Sequence, residues 1–193
     1  MYSTKNKILE TALELFSKKG YLGATTKEIA KEAGIAEVTL FRHFPSKEKL
    51  FEEVINTYSF LPILKGLLPE ISKIPYEKAL SVIAKRFLDT LDSRKAMIQI
   101  MHSEVRRYPE KIHKIYHGLI DEMIKTLALY FQEMHKKGIV KEFDIECGAR
   151  AFLGMFFSYF NAKEFHKFKK FRDIDTDKII KEFVNIFSRG TSK

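Results

Sequence analysis

Between Thr26 and Lys47 the chain carries cations, hydroxyls, an acceptor and apolar groups at spacings suited to reading a nucleic acid. Arg42, His43 and Lys47 can hold phosphate oxygens. Thr26 falls at a helix start, where free N–H groups favour an anion. Thr39 offers a hydroxyl that can pair with several bases. Its methyl group, or Val38, can meet a thymine methyl. Glu37 can accept from a cytosine amino group. Ala36 is small, so the backbone at this end can approach base edges closely.

These side chains need a frame, and the stretch TTKEIAKEAGIAEVTLFRHFPSKEKL supplies one. Thr25 followed by Glu28 reads as a capping box that opens a helix. Ile29, Ala30 and Ala33 give that helix an apolar side, and Gly34 permits the positive φ of a tight turn. A short helix from about Glu37 to Phe44 follows, with Val38, Phe41, Leu40 and Phe44 as its inward candidates. Pro45 stops it, and Ser46 caps the next helix. Two helices around a steep glycine turn make a helix-turn-helix, whose second helix enters the major groove of DNA. Upstream, Ile8, Leu9, Ala12, Leu13, Leu15 and Phe16 recur at helical spacing, and Gly20 fits the position just past that helix.

Other chemistry is poorly supported. His113 and His117, four apart on one helix, could share a metal, but no carboxylate or cysteine partner is evident and solvated histidines are expected. His102 reads the same way. Arg106 and Arg107 suit a helix end. No nucleophile motif, metal spacing or glycine-rich phosphate loop points to an enzyme, and no metal or cofactor is expected. The net charge of +9 sits near the ends: +3 in residues 1–50 and +4 in the basic-aromatic run 163–172. That balance suits an anionic partner without requiring one. Cys147 is the only cysteine. It lies in an apolar segment, which suggests a buried small hydrophobe and a reducing compartment. The most apolar run, Ala149 to Phe160, is too short to span a bilayer. A soluble cytoplasmic protein with no membrane partner is expected.

The remaining chain reads as helices throughout, so the fold class is all-α. Helices are expected over about 75–91, 93–107, 109–137, 144–165 and from Asp175 or Thr176 to Gly190, about nine in all. Pro62, Pro69 and Pro75 predict a jointed connection over 61–75 rather than one helix. A DNA-binding domain over residues 1–48 is expected, with its linking helix from about Lys47. Residues 49–193 then form a second domain.

The order of residues in the head resembles the DNA-binding domain of the TetR family of transcriptional regulators. The likeness covers about residues 5–52: Phe16, Gly20-Tyr21, Thr25-Thr26, Ile29-Ala30, Ala33-Gly34, Leu40, His43-Phe44 and Ser46-Lys47. It implies a sequence-specific regulator, a repressor that leaves its double-stranded operator when a small effector binds. Thr26 and Lys47 match positions that contact the DNA backbone. Glu37, Val38 and Thr39 match positions that face bases, and Phe41, Arg42 and His43 match positions near phosphates. Departures stand out: Phe41 lacks the hydroxyl of the tyrosine often found there, and Glu37 replaces a common lysine.

The resemblance also implies a homodimer and a ligand cavity in the second domain. Cys147, Ala151, Gly154, Ser158 and Ala162 form a narrow stripe of small residues, which supports close helix approach. The amphipathic final helix, with Ile179, Phe183, Ile186 and Phe187, completes an expected four-helix interface. The ligand-lining candidates are large and adaptable. Phe87, Leu91, Met97 and Met101 come from the middle helices, with Met123. Phe152, Met155, Phe156 and Tyr159 follow on the next. Such a lining suits a lipophilic molecule. A ligand-binding protein or enzyme with a vestigial head is the alternative.

Overall fold

The computed structural model describes residues 3–165 and 175–193. The helices are α1 Thr4–Gly23, α2 Thr26–Glu32, α3 Glu37–His43, α4 Lys47–Tyr58, α5 Phe60–Ile71, α6 Tyr76–Ser93, α7 Lys95–Glu104, α8 Glu110–Lys136, α9 Ile145–Glu164 and α10 Thr176–Thr191. A 3-10 turn, Val105–Arg107, joins α7 to α8. Among the described residues there is no strand, only one antiparallel bridge between Val140 and Ser192. No helix among the described residues is long and apolar enough to cross a membrane.

Two compact units emerge, and they do not follow a single cut in the chain. One contains residues 1–59 and 94–119, the other 60–93 and 120–193. The first unit therefore recruits α7 and the start of α8.

In the first unit, Ser3 caps α1 by accepting from the Asn6 N–H at 3.2 Å. The α1 positions Ile8, Leu9, Ala12, Leu15 and Phe16 are buried, one apolar face at helical spacing. Gly20 interrupts α1 with φ 71° and ψ 175°. That backbone turn puts Tyr21 into the core. Phe16, Tyr21 and Phe51 then interlock, with Phe51 edge-on to Phe16 at 5.2 Å and to Tyr21 at 5.1 Å between ring centroids. Burying a side chain of this size contributes about 1.5–3 kcal/mol, so these rings anchor α1 on α4. Arg94 ties the entry of α7 to the end of α4: its guanidinium lies 5.3 Å from the Tyr58 ring centroid.

The second unit packs α5, α9 and α10 on α6. Its centre is aromatic. Phe187 lies 5.5 Å from Phe131 and 5.0 Å from Phe152, and Phe156 lies 5.2 Å from Phe152. One polar pair is buried with this core, Tyr76 Oη and Thr191 Oγ1 at 2.9 Å. Burial pushes the Tyr76 phenol up to about 12, against the opposing effect of that hydrogen bond.

Three expectations need correction. Residues 60–71 form one helix, α5, with Pro69 inside it. Pro62 lies in the first turn, where the missing N–H is no loss, and Pro69 lies in the last turn, so little of the helix depends on the donor it lacks. Burial of Phe60, Leu64 and Ile71 supports the helix. Cys147 is exposed, not buried. It sits in the first turn of α9, where its N–H donates to Asp144 Oδ1 at 2.9 Å. Thr25 caps α2 by accepting from the Glu28 N–H at 3.2 Å, but the Glu28 carboxylate pairs with Lys19 rather than closing the box.

Candidate nucleic-acid interface

The turn between α2 and α3 is built on Gly34, with φ 65°. Its N–H donates to Lys31 O at 3.0 Å, and the Ile35 N–H donates to Ala30 O at 3.0 Å. These paired bonds are a Schellman motif, which needs a residue in the left-handed region at the glycine position. An added Cβ at Gly34 would meet only Lys7 Nζ, at 3.5 Å, so the constraint is backbone conformation and not space. Gly34→Ala is accordingly expected to cost about 1–2 kcal/mol of stability in the first unit. Thermal denaturation of the purified variant measures it, and an unchanged melting temperature would contradict the turn's role.

The short α3 is oriented by Leu40, which is completely buried, with Phe44 just beyond its end. Val38 and Phe41, counted above among the inward candidates, point outward, at 67% and 42% exposure. The reason is spacing: Leu40 and Phe44 share one face, and positions 38 and 41 fall off it. Two apolar side chains thus stand free on the helix that a helix-turn-helix presents to the major groove.

Around them lie the polar candidates. Thr26 Oγ1 donates to Glu37 Oε1 at 2.7 Å, so the first residues of α2 and α3 are joined. This bond holds the Glu37 carboxylate beside the start of α3, where the helix dipole favours a negative charge. Arg42 Nη2 lies at a long hydrogen-bond distance from Thr39 Oγ1, 3.4 Å. Arg42 and His43 are exposed, and Thr39 is half-buried. The structure therefore brings Thr26, Glu37, Val38, Thr39, Phe41, Arg42 and His43 together on α2 and α3.

Lys47 opens α4, after Ser46 caps it by accepting from the Lys49 N–H at 3.2 Å. The Lys47 ammonium sits 4.4 Å from the centroid of the Tyr21 ring. Tyr21 Oη donates to Glu48 Oε1 at 3.0 Å. Burial lowers the Lys47 pKa, and the charges of Glu48 and Glu104 act in the opposite direction. The Glu48 carboxyl is held low, first by its own backbone N–H and then by the Ser46 hydroxyl. Tyr21 is raised by burial and by its bond to Glu48.

Tyr21 and Glu104 had no place among the sequence candidates. Tyr21 lay beside Gly20 in the head, so its position was available. Glu104 carried no local signal, because it reaches Gly20 only through the packing of α7 on α1.

The remaining candidates divide between the units. Cys147, Ala151, Gly154 and Ser158 are exposed along α9, and Ala162 is half-buried. On α10, Ile186 is 61% exposed and Phe183 half-buried. Ile179 and Phe187 are buried within the protomer, Phe187 against Phe131 and Phe152, so they serve its core. Of the ligand-lining candidates, Met97 and Met101 fall in the first unit. Phe87, Leu91, Met123, Phe152, Met155, Phe156 and Tyr159 fall in the second. Phe152 and Phe156 are fully buried among other rings. Met123 and Met155 are half-buried. The His113 and His117 rings stack at 6.3 Å, and no group of three metal-ligating side chains occurs among the described residues. Residues 166–172 of the basic run lie outside the described residues.

Comparison with known proteins agrees with this geometry. Residues 8–54 match the family model of bacterial regulatory proteins of the tetR family. Residues 78–190 match that of the AefR-like transcriptional repressor C-terminal domain. The HTH-type transcriptional regulator YvkB of Bacillus subtilis (strain 168) is 29% identical over 192 residues, covering 100% of this chain and 99% of YvkB. A candidate TetR-family transcriptional regulator of Mesorhizobium loti MAFF303099 shares the fold with a TM-score of 0.78, at 23% identity, over 98% of this chain and 97% of that one. A candidate fatty acid metabolism regulator of Clostridium perfringens does so with a TM-score of 0.70, at 24% identity, over 95% and 97%. The chain belongs to the TetR family of transcriptional regulators.

Proposed function

We propose that this DNA-binding repressor acts in the cytoplasm as a homodimer and leaves its operator when a small lipophilic ligand binds. The division of labour is residues 1–48 for DNA and 49–193 for ligand and dimer. The observation that carries the DNA reading is the outward display of Val38 and Phe41 beside the Thr26–Glu37 pair, Thr39, Arg42 and His43. Val38 and the Thr39 methyl suit thymine methyls, and Glu37 suits an amino group of cytosine. Thr26, Arg42, His43 and Lys47 suit phosphates. The Phe41 ring contributes apolar contact where a hydroxyl would otherwise reach phosphate.

The exposed α9 stripe, together with exposed Ile186 on α10, supports a dimer through α9 and α10. Half-buried Met123 and Met155, in the same unit as Phe87, Leu91 and Tyr159, supply adaptable apolar surface for an effector. The Clostridium perfringens relative in fold, a candidate regulator of fatty acid metabolism, agrees in kind with a lipophilic ligand. A ligand that prefers one of two states shifts the balance only by its difference in affinity for them.

Titration of the purified protein against DNA from its own upstream region tests the reading. Saturable binding is expected, with affinity falling steeply as salt rises. Lys47→Ala should weaken binding to all sequences and make the salt slope shallower by about one, the share of a single phosphate. Thr39→Ala should instead change base preference. Equal affinity for scrambled DNA would overturn sequence-specific regulation. Mass spectrometry of small molecules retained through purification tests the ligand.

A further inference from the structure

The first unit holds a half-buried glutamate, with one carboxylate oxygen fully buried, that the DNA reading leaves unexplained. Glu104, the last residue of α7, lies against the backbone of Gly20. A Cβ built on Gly20 would be 2.1 Å from Glu104 Oε2 and 2.6 Å from Oε1. Glu104 Oε2 and Tyr108 Oη are both buried without a hydrogen bond of good geometry among the described residues. They are each other's polar neighbours: the Tyr108 phenol is pushed up first by burial and then by the charge of Glu104 and its hydrogen bond to that carboxylate. The next residue after Gly20 is Tyr21, whose ring lies edge-on to Tyr108 at 6.0 Å and carries the Lys47 ammonium at 4.4 Å.

One carboxylate, with Tyr108 Oη as its polar neighbour, and one half-buried ammonium thus flank the same Gly20-Tyr21 dipeptide. A buried anion is costly unless an opposite charge compensates it. The charge of Glu104 supports the charged form of Lys47 against its burial. Glu48 supports the Lys47 charge more strongly than Glu104 does, but it is also engaged by Tyr21 Oη and by Ser46, so Glu104 is the second anion on Lys47 and the one that comes from another helix.

We propose that Glu104 is a positioning residue for Lys47, an internal counter-anion that holds the ammonium over Tyr21 and competes with DNA phosphate for it. This rests on the reading of Lys47 as a phosphate-binding residue. Two features give it direction. Lys47 is drawn onto an aromatic face and not extended into solvent, and Gly20 lacks the Cβ that would exclude the carboxylate. A phosphate must therefore take Lys47 from a partner built into the fold. The penalty falls equally on every DNA sequence, because a phosphate contact carries no base information.

The test is a double-mutant cycle on the full chain, with specific and scrambled DNA as probes. Glu104→Gln keeps the shape and removes the charge. It is expected to tighten binding to both DNAs by roughly three- to tenfold, without changing their ratio. In the Lys47→Ala background the same substitution is expected to change affinity less than twofold. Glu104→Ala, which places no amide against Gly20, should behave in the same way and covers the case where the glutamine variant fails to fold. Weaker binding in both variants, or an equal effect with and without Lys47, would overturn the proposal and leave Glu104 a structural residue. If Lys47→Ala alone leaves binding and salt slope unchanged, the reading of Lys47 itself fails, which is a separate result.

Discussion

Gly154→Arg is expected to yield a folded monomer whose operator affinity is lower by roughly 10²–10⁴-fold. Gly154 lies on the exposed stripe of α9, with Ala151 and Ser158 beside it. A Cβ at Gly154 would meet nothing within 4 Å in the protomer, so the added side chain enters open space. Replacing a mid-helix glycine also removes a helix penalty of about 1 kcal/mol, so the protomer should be no less stable. In the proposed dimer through α9 and α10 the position is different. Small residues on one stripe let helices approach closely, and an arginine there would separate the backbones and bury a charge without a partner. Operator affinity would then fall because two linked heads bind as one bivalent unit, and a single head does not. Ile186→Glu, on the exposed part of α10, should act in the same direction. Sedimentation velocity reads the oligomeric state and DNA titration the affinity. A Gly154→Arg dimer with unchanged operator affinity would place the interface elsewhere.

Much of this molecule was legible in its sequence because the decisive signals are local. Thr25, Gly34 and Ser46 announce helix starts and a turn through interactions spanning four to six residues, and the structure has them in those roles. Local patterns fail where a choice depends on the neighbour. Val38 and Phe41 are apolar and three apart on one helix, as an inward face could be, yet the neighbouring surface takes Leu40 and Phe44 instead. Cys147 belongs to an apolar segment but falls on its outer stripe. On α10, Ile179 and Phe187 turn inward while Ile186 turns outward, a division that the amphipathic pattern alone did not make. Proline read as a breaker over 61–75, and a helix nonetheless runs to Ile71, because the burial of Phe60, Leu64 and Ile71 was not visible to a local rule. Glu104 is the extreme case. Its role depends on Gly20, 84 residues earlier in the chain, and no spacing rule connects them.

Phe51→Ala should strip the head of its stability while sparing the α9–α10 face. Phe51 is completely buried and packs edge-on against both Phe16 and Tyr21. Truncating a buried phenylalanine costs about 3–5 kcal/mol through forfeited transfer energy and the cavity left behind. Whole-domain stabilities are only about 5–15 kcal/mol, so one ring is a large share. The damage also reaches function. Tyr21 leans on Phe51 and in turn carries Lys47 and binds Glu48, so a hole beneath it loosens the start of α4. Phe41→Ala is the control. That ring is 42% exposed and should cost no more than about 0.5 kcal/mol of stability, while changing DNA affinity directly. Amide hydrogen exchange distinguishes the cases. In Phe51→Ala the α1 and α4 amides should lose protection by about 10²–10³-fold or more, and those of α9 and α10 should keep theirs. A uniform loss across both units would mean that the chain unfolds as one cooperative body. Unchanged protection in α1 and α4 would mean that the Phe16–Tyr21–Phe51 cluster does not hold the head together.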